Sequence, residues 1–226
     1  MRTVCELYGQ ALSLHDQGAH VVSCDEKTGI QALERARPAL SLRPGLVERL
    51  EYEYVRHGTL CLIANFDVAT GRVESPTIGL TRSEQDFADH ITRTIDTDPD
   101  APWIFVADNL NTHNSESLVR LIAERCGLNA LLGVKGKSGV LRTRHTRAAF
   151  LSDPTHRVRF VYTPKHCSWL NQVELWFSIL VRRLLKRASF TSLDDLRQRI
   201  LAFIDYFNQY MAKPFRWTYK GKLLAA

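Results

Sequence analysis

No apolar run in this 226-residue sequence approaches the roughly 18 residues that a membrane-crossing helix needs, and Glu6 and Asp16 stand where a secretion signal would be apolar. The sequence therefore reads as intracellular and cytoplasmic, with no membrane among its partners. Cysteine is scarce. Cys5, Cys24, Cys61, Cys126 and Cys167 are odd in number, scattered and never spaced C-x-x-C, so they indicate neither a disulfide framework nor a zinc site and read as reduced thiols. Long polar and repeated tracts are also missing, and 45% hydrophobic with 24% charged residues is the composition of a chain that folds. The length suits one substantial core.

Acids are outnumbered, with a formal net charge of +6. The excess is local. Twelve Lys and Arg lie between Lys135 and Arg187 against two acids, Asp153 and Glu174, so the remainder of the chain is slightly acidic. Basic charge gathered in this way fits a polyanionic partner.

Hydrophobic periodicity predicts a helix over 3–17, a strand over 20–24 ending on Asp25, irregular chain over 31–53, and a hairpin of strands 54–66 and 72–80 around Asp67 to Gly71. Ser83 is placed to cap a helix to Ile95, and Trp103 to Ala107 is a wholly apolar run that also ends on an acid, Asp108. A helix over 115–126 follows, then a Gly-rich basic loop over 133–147 and a strand over 157–163. Ser168 is placed to cap a long helix to Leu185 with Glu174 in its second turn, and a last helix spans 193–210.

If the strand ending at Asp25 and the strand ending at Asp108 are adjacent and parallel, their carboxylates meet at the edge where α/β sheets place their sites. A helix crossing the sheet can bring Glu174 from a third direction. Carboxylate oxygens suit Mg²⁺ or Mn²⁺, and two such ions can activate an attacking oxygen and stabilise a leaving one. The plain alternatives are turn or strand-end roles for Asp25 and Asp108, and a helix-dipole role for Glu174.

Three strings narrow the choice. Cys24-Asp25-Glu26-Lys27-Thr28-Gly29-Ile30-Gln31-Ala32-Leu33, Asp108-Asn109-Leu110-Asn111-Thr112-His113 and His166-Cys167-Ser168-Trp169-Leu170-Asn171-Gln172-Val173-Glu174-Leu175-Trp176-Phe177, together with 182–187 and 213–218, resemble the bacterial insertion-sequence branch of the Tc/mariner transposases. The resemblance implies an α/β, ribonuclease-H-like fold with a mixed five-stranded sheet flanked by helices, and Asp25, Asp108 and Glu174 as a catalytic triad holding two Mg²⁺ (or Mn²⁺). It implies metal-dependent strand cleavage and strand transfer, acting on the inverted repeats of an element and on target DNA, by a homodimer associated with the bacterial nucleoid. Relatives carry N-terminal helix-turn-helix segments, so recognition of the element ends is expected to be missing or supplied by another polypeptide. The 65 residues between Asp108 and Glu174 make a longer interval than in eukaryotic relatives, with the extra length placed in a basic insertion over 133–156.

This reading divides the chain into a lead-in helix (1–18), a catalytic domain (19–212) and a C-terminal tail (213–226). Lys135, Lys137, Arg142, Arg144 and Arg147 are expected to meet phosphates, as are Arg182, Arg183, Lys186 and Arg187, which also suit a helix C-terminus. Lys27, Arg56, His57, Asn109, His113, Lys165, His166 and Trp169 complete the expected DNA contacts. For His113 and Trp169, hydrogen bonding in place and packing are the competing roles. Glu26, one step along the strand from Asp25, is expected to point away or to pair with a base. The rival functions are a nuclease of the same fold and a non-catalytic DNA-binding remnant.

Overall fold

The computed structural model describes residues 1–38, 40–49 and 51–219. Its centre is a five-stranded sheet built from β1 (His20–Arg35), β2 (Tyr54–Asp67), β3 (Val73–Gly79), β4 (Trp103–Ala107) and β5 (Val158–Tyr162), in the spatial order β3-β2-β1-β4-β5. β1 to β3 form an antiparallel meander, while β4 pairs parallel to β1 and β5 parallel to β4. Every side chain of β4 is buried, as its unbroken apolar sequence requires of a central strand covered on both faces.

Among the described residues six helices cover the sheet: α1 (Arg2–Asp16), α2 (Glu84–Ile95), α3 (Glu116–Arg125), α4 (Arg144–Leu151), α5 (Val173–Leu180) and α6 (Leu193–Tyr210). On one face Val22, Phe105 and Phe160 pack against Phe87 and Ile91 of α2 and Leu118 and Ile122 of α3. The other face is shared. Leu60, Leu62, Ala64 and Phe66 of β2 meet Trp176, Phe177, Ile200 and Ile204 of α5 and α6, while Val21, Ile104 and Val106 meet Val4, Leu7 and Tyr8 of α1. Ser83 caps α2 as expected, its hydroxyl accepting the Asp86 N–H while the Asp86 carboxylate accepts the Ser83 N–H.

The structure corrects the sequence reading in four places. β1 does not stop at Cys24 but runs on to Arg35, paired to β2 across two bulges, so the expected irregular stretch begins later. Asp25 therefore lies inside a strand. The segment expected as a basic loop contains α4, capped by Thr143, and a tight turn in which a Cβ on Gly133 would stand 2.2 Å from the Ser138 carbonyl oxygen. Ser168 starts only a 3-10 turn. α5 begins at Val173, because Asn171 takes an extended backbone, and the helix ends in a π-helical stretch at Val181–Leu185. The expected tail is packed as far as it is described: Phe215 stacks on Phe66 at 4.6 Å and Trp217 meets Tyr8 at 5.2 Å. It crosses the β2–β3 turn so closely that a Cβ on Gly71, at φ 73°, would meet the Lys213 backbone at 2.0 Å. The part of that tail beyond Tyr219 lies outside the described residues. Among the described residues no helix is long and apolar enough to cross a membrane.

Candidate active site

The parallel ladder between β1 and β4 ends at the pair Ser23 and Val106. Two steps further in the same register, Asp25 on the continuing β1 stands opposite Asp108, the first residue after β4. Neighbouring strands lie roughly 5 Å apart, so the two carboxylates share the carboxyl end of the parallel pair.

Asp108 is held from behind. His113, in a 3-10 turn at Thr112–Asn114, is wholly buried and directs Nδ1 to Asp108 Oδ1 at 2.8 Å and Nε2 to Glu26 Oε2 at 3.0 Å. Thr112 donates a longer bond to the other Glu26 oxygen, at 3.4 Å. Glu26 thus pairs with a base, His113, while its carboxylate stays within 4.8 Å of that of Asp25. Burial alone would lower the His113 pKa, but the bonds to Asp108 and Glu26 outweigh it and raise it to about 10. The ring is an imidazolium at neutral pH. In turn, burial pushes the Asp108 carboxyl up, and the His113 bond and charge with the Leu110 N–H overcome that and hold it below the ordinary value.

Glu174 reaches the site because the start of α5 is fastened to β1. The Asn171 amide donates to the Cys24 carbonyl at 2.9 Å and to Asp25 Oδ2 at 3.1 Å. The Ser23 hydroxyl donates to Asn171 Oδ1 and accepts the Val173 N–H at 2.9 Å. Ser23 and Asn171 are wholly buried, and together they satisfy one another and set Glu174, in the first turn of α5, toward the sheet edge. Neither residue stood out in the sequence as part of the site. The signal was an asparagine just before an apolar helix start, inside the string that carries Glu174.

The charges fit a divalent cation. Burial pushes the Asp25 carboxyl up to about 7, with the Asp108 charge adding to the shift and His113 opposing it. The Glu174 carboxyl is also raised, first by burial, with Lys27 opposing and the Asp108 charge adding. Asp108 is therefore felt at both other acids, and a cation among these oxygens would relieve Asp25 and Glu174. Asp25, Glu26 and His113 also bring ligand atoms within 4.8 Å of one another. Both ring nitrogens of His113 are already committed to carboxylates, so His113 and Glu26 are internal supports, and the candidate donors that remain, Asp25, Asp108 and Glu174, are all carboxylates.

Basic side chains surround the acids. Lys27, Glu174, Arg182 and Lys186 line one cleft of about 280 Å³, and Asp108, Asn109, Lys165 and His166 line another of about 290 Å³. His166 adopts a left-handed backbone, φ 62°, that side chains rarely take. Arg144, at the start of α4, is exposed and helps to lower the Asp108 pKa. Lys137, Arg142, Arg183 and Arg187 are also exposed. Lys135 is exposed and pairs with Glu84 at 3.3 Å. Asn109 is exposed while its amide donates to the Thr163 carbonyl, and Trp169, half exposed, meets Tyr219 edge-on at 5.0 Å.

Four expected DNA contacts are corrected or set apart. His113 has no exposed side-chain surface and serves Asp108 instead. Arg147 turns inward, donating to the carbonyls of Asn114 at 2.6 Å and Leu141 at 3.2 Å, and so ties α4 to the turn after β4. Arg56 and His57 lie on the outer extension of β2, eight and seven residues from the Ala64 that pairs with Asp25, which is roughly 25 Å of strand; His57 pairs with Glu34 at 2.7 Å.

A search of curated proteins found no match. Among solved structures, the Mos1 transposase paired-end complex with the left transposon end is similar with a TM-score of 0.54 and 14% identity, over 90% of this chain and 53% of that one. The pre-cleavage Mos1 transpososome gives 0.54 and 13% over 91% and 55%, and the catalytic domain of Mos1 mariner transposase 0.50 and 11% over 90% and 80%. This chain thus spans about half the length of the full transposase chains. At such identities the likeness concerns the fold, which is the ribonuclease-H-like arrangement of a mixed five-stranded sheet with flanking helices. The family model described as DDE superfamily endonuclease matches residues 20–197, more than three quarters of the sequence and a span that contains Asp25, Asp108 and Glu174; the chain belongs to that family.

Proposed function

We propose that this chain is the catalytic domain of a DNA transposase of the Tc/mariner type, cleaving DNA at the ends of a mobile element and joining the freed ends to target DNA. The observation that carries the reading is the meeting of Asp25 and Asp108 at the end of a parallel strand pair, with the helix of Glu174 hydrogen-bonded to the same strand. Asp25, Asp108 and Glu174 are the proposed ligands of two Mg²⁺ or Mn²⁺ ions. When bound, such ions activate the attacking water or 3′-hydroxyl and stabilise the leaving oxygen.

The chain's own residues supply the rest. His113 keeps Asp108 ionised at neutral pH. Asn171 fixes Asp25 and the start of α5 in one network, so that the geometry is set before substrate arrives. Lys27, Arg182 and Lys186 beside Glu174, and Lys165, His166, Asn109 and Arg144 beside Asp108, are the proposed contacts to the DNA backbone. Lys135, Lys137, Arg142, Arg183, Arg187 and Trp169 extend that surface. The similar transposases were solved as paired-end and strand-transfer complexes, which supports duplex DNA as partner. A homodimer, and a helix-turn-helix segment that reads the element ends, belong to the same proposal.

Pre-cut duplex ends incubated with target plasmid and Mn²⁺ test it. The wild type is expected to give joined product, and Asp108→Asn to lose at least about 10²–10³-fold in rate, the scale of removing one strong electrostatic contact to a transition state. Cleavage without joining would favour a nuclease of this fold. Equal activity in the variant would remove the catalytic reading.

A further inference from the structure

At the other end of the sheet, His15 in the last turn of α1, His20 at the start of β1 and Asp67 at the end of β2 bring ligand atoms within 4.8 Å of one another. Five residues of strand separate His20 from Asp25, roughly 17 Å. This cluster takes no part in the site described above. We propose that His15, His20 and Asp67 form a second metal site, for a borderline transition-metal ion such as Zn²⁺, which fastens the end of α1 to the sheet.

The His20 ring is already oriented as a ligand. Its Nε2 lies 2.9 Å from Asp98 Oδ2, and a carboxylate only accepts, so the proton of the neutral ring sits on Nε2 and the lone pair is left on Nδ1. A carboxylate behind a ligating imidazole is the usual second support of such sites, fixing both tautomer and ring plane. Stacking on Trp103, with centroids 4.1 Å apart and planes 18° from parallel, holds the plane further.

Asp67 is divided in the same way. Its Oδ1 accepts the Ala69 and Thr70 N–H groups, each at 2.8 Å, and Oδ2 lies 4.0 Å from His20 Nδ1. That gap is too long for a hydrogen bond. Two donors bound to one tetrahedral Zn²⁺ at about 2.1 Å stand about 3.4 Å apart, so a small movement closes the pair on an ion. His15 is exposed, with its ring 6.4 Å from that of His20, and side-chain rotation brings its nitrogen in as third donor; water completes four. The surroundings favour a cation. Half-buried Glu74 feels the Asp67 charge, and Asp98 adds another, with Arg72 the basic partner of Glu74. Two imidazoles select Zn²⁺ over Mg²⁺, which separates this site chemically from the all-carboxylate one.

The test titrates Zn²⁺ by calorimetry into the wild-type protein, with excess Mg²⁺ present to occupy the carboxylate site. One ion per chain is expected, with affinity lowered at least about tenfold by His15→Gln and by Asp98→Asn, whose side chains are largely exposed. Cu²⁺ in place of Zn²⁺ is expected to show two imidazole nitrogens by electron paramagnetic resonance, and one after His15→Gln. No binding in the parent, or binding unchanged by His15→Gln, would overturn the proposal.

Discussion

His113 has both ring nitrogens on carboxylates, Glu26 on one side and Asp108 on the other, and no exposed surface. An ion held this way is stable only as long as all three charges are present, because removing one leaves the others buried and unmatched. His113→Gln is therefore expected to destabilise the metal-free protein by about 3–5 kcal/mol, measured by urea unfolding at pH 7. The pH dependence follows from the sign of the shift. The folded-state pKa is raised above the ordinary 6.5 to about 10, so the contribution is complete below pH 6.5 and is lost as pH rises through about 10. The wild type is expected to lose stability between pH 7 and 10 more steeply than His113→Gln, and parallel curves would mean that the imidazolium is not what holds the trio.

At the scale of elements, the start of α5 and the buried edge of α2 each depend on a polar contact. Asn171 joins α5 to β1, and Asn171→Ala leaves the Ser23 hydroxyl and the Cys24 carbonyl without their partner, a loss of about 1–3 kcal/mol. Since Glu174 lies three residues on, the rate of cleavage is expected to fall by more than stability accounts for, while affinity for DNA is nearly unchanged; equal losses in both would make Asn171 merely structural. His90 of α2 is wholly buried against Thr77 of β3, and burial lowers its pKa to about 3. A depressed histidine stabilises fully above its unfolded value of about 6.5 and loses that contribution as pH falls toward 3, at up to about 1.4 kcal/mol per pH unit. Acid unfolding is expected to be less steep in His90→Gln across pH 6.5 to 4.

For the whole molecule, part of the basic charge counted between 135 and 187 gathers at the acidic edge: Arg144 at the start of α4, Lys165 after β5, and Arg182 and Lys186 beyond α5. If that surface binds duplex DNA, the logarithm of affinity falls against that of salt with a slope near −0.9 for each phosphate neutralised. Removing Arg144 and Arg182 together is expected to reduce the slope by about two units, whereas Arg147→Gln, whose guanidinium is bonded to carbonyls, is expected to cost stability and leave the slope unchanged. Binding measured at several salt concentrations separates these outcomes.

The sequence by itself determined the strands that a single apolar run can define. Trp103 to Ala107 is buried because nothing polar interrupts it, and the acids that follow such runs stand where a sheet ends or begins to diverge. Asp25 and Asp108 stood out as candidates for that reason, and Glu174 because it lies, like them, in a long string that resembles one family. Tertiary structure decided what local pattern leaves open. The extension of β1 to Arg35 depends on its pairing with β2, α5 starts at Val173 because Asn171 is drawn onto β1, and the imidazole of His113 is turned inward by a glutamate 87 residues away in sequence. Each is a contact between distant parts of the chain, whose energy is realised only when the sheet has closed, so periodicity along the sequence carries no sign of it.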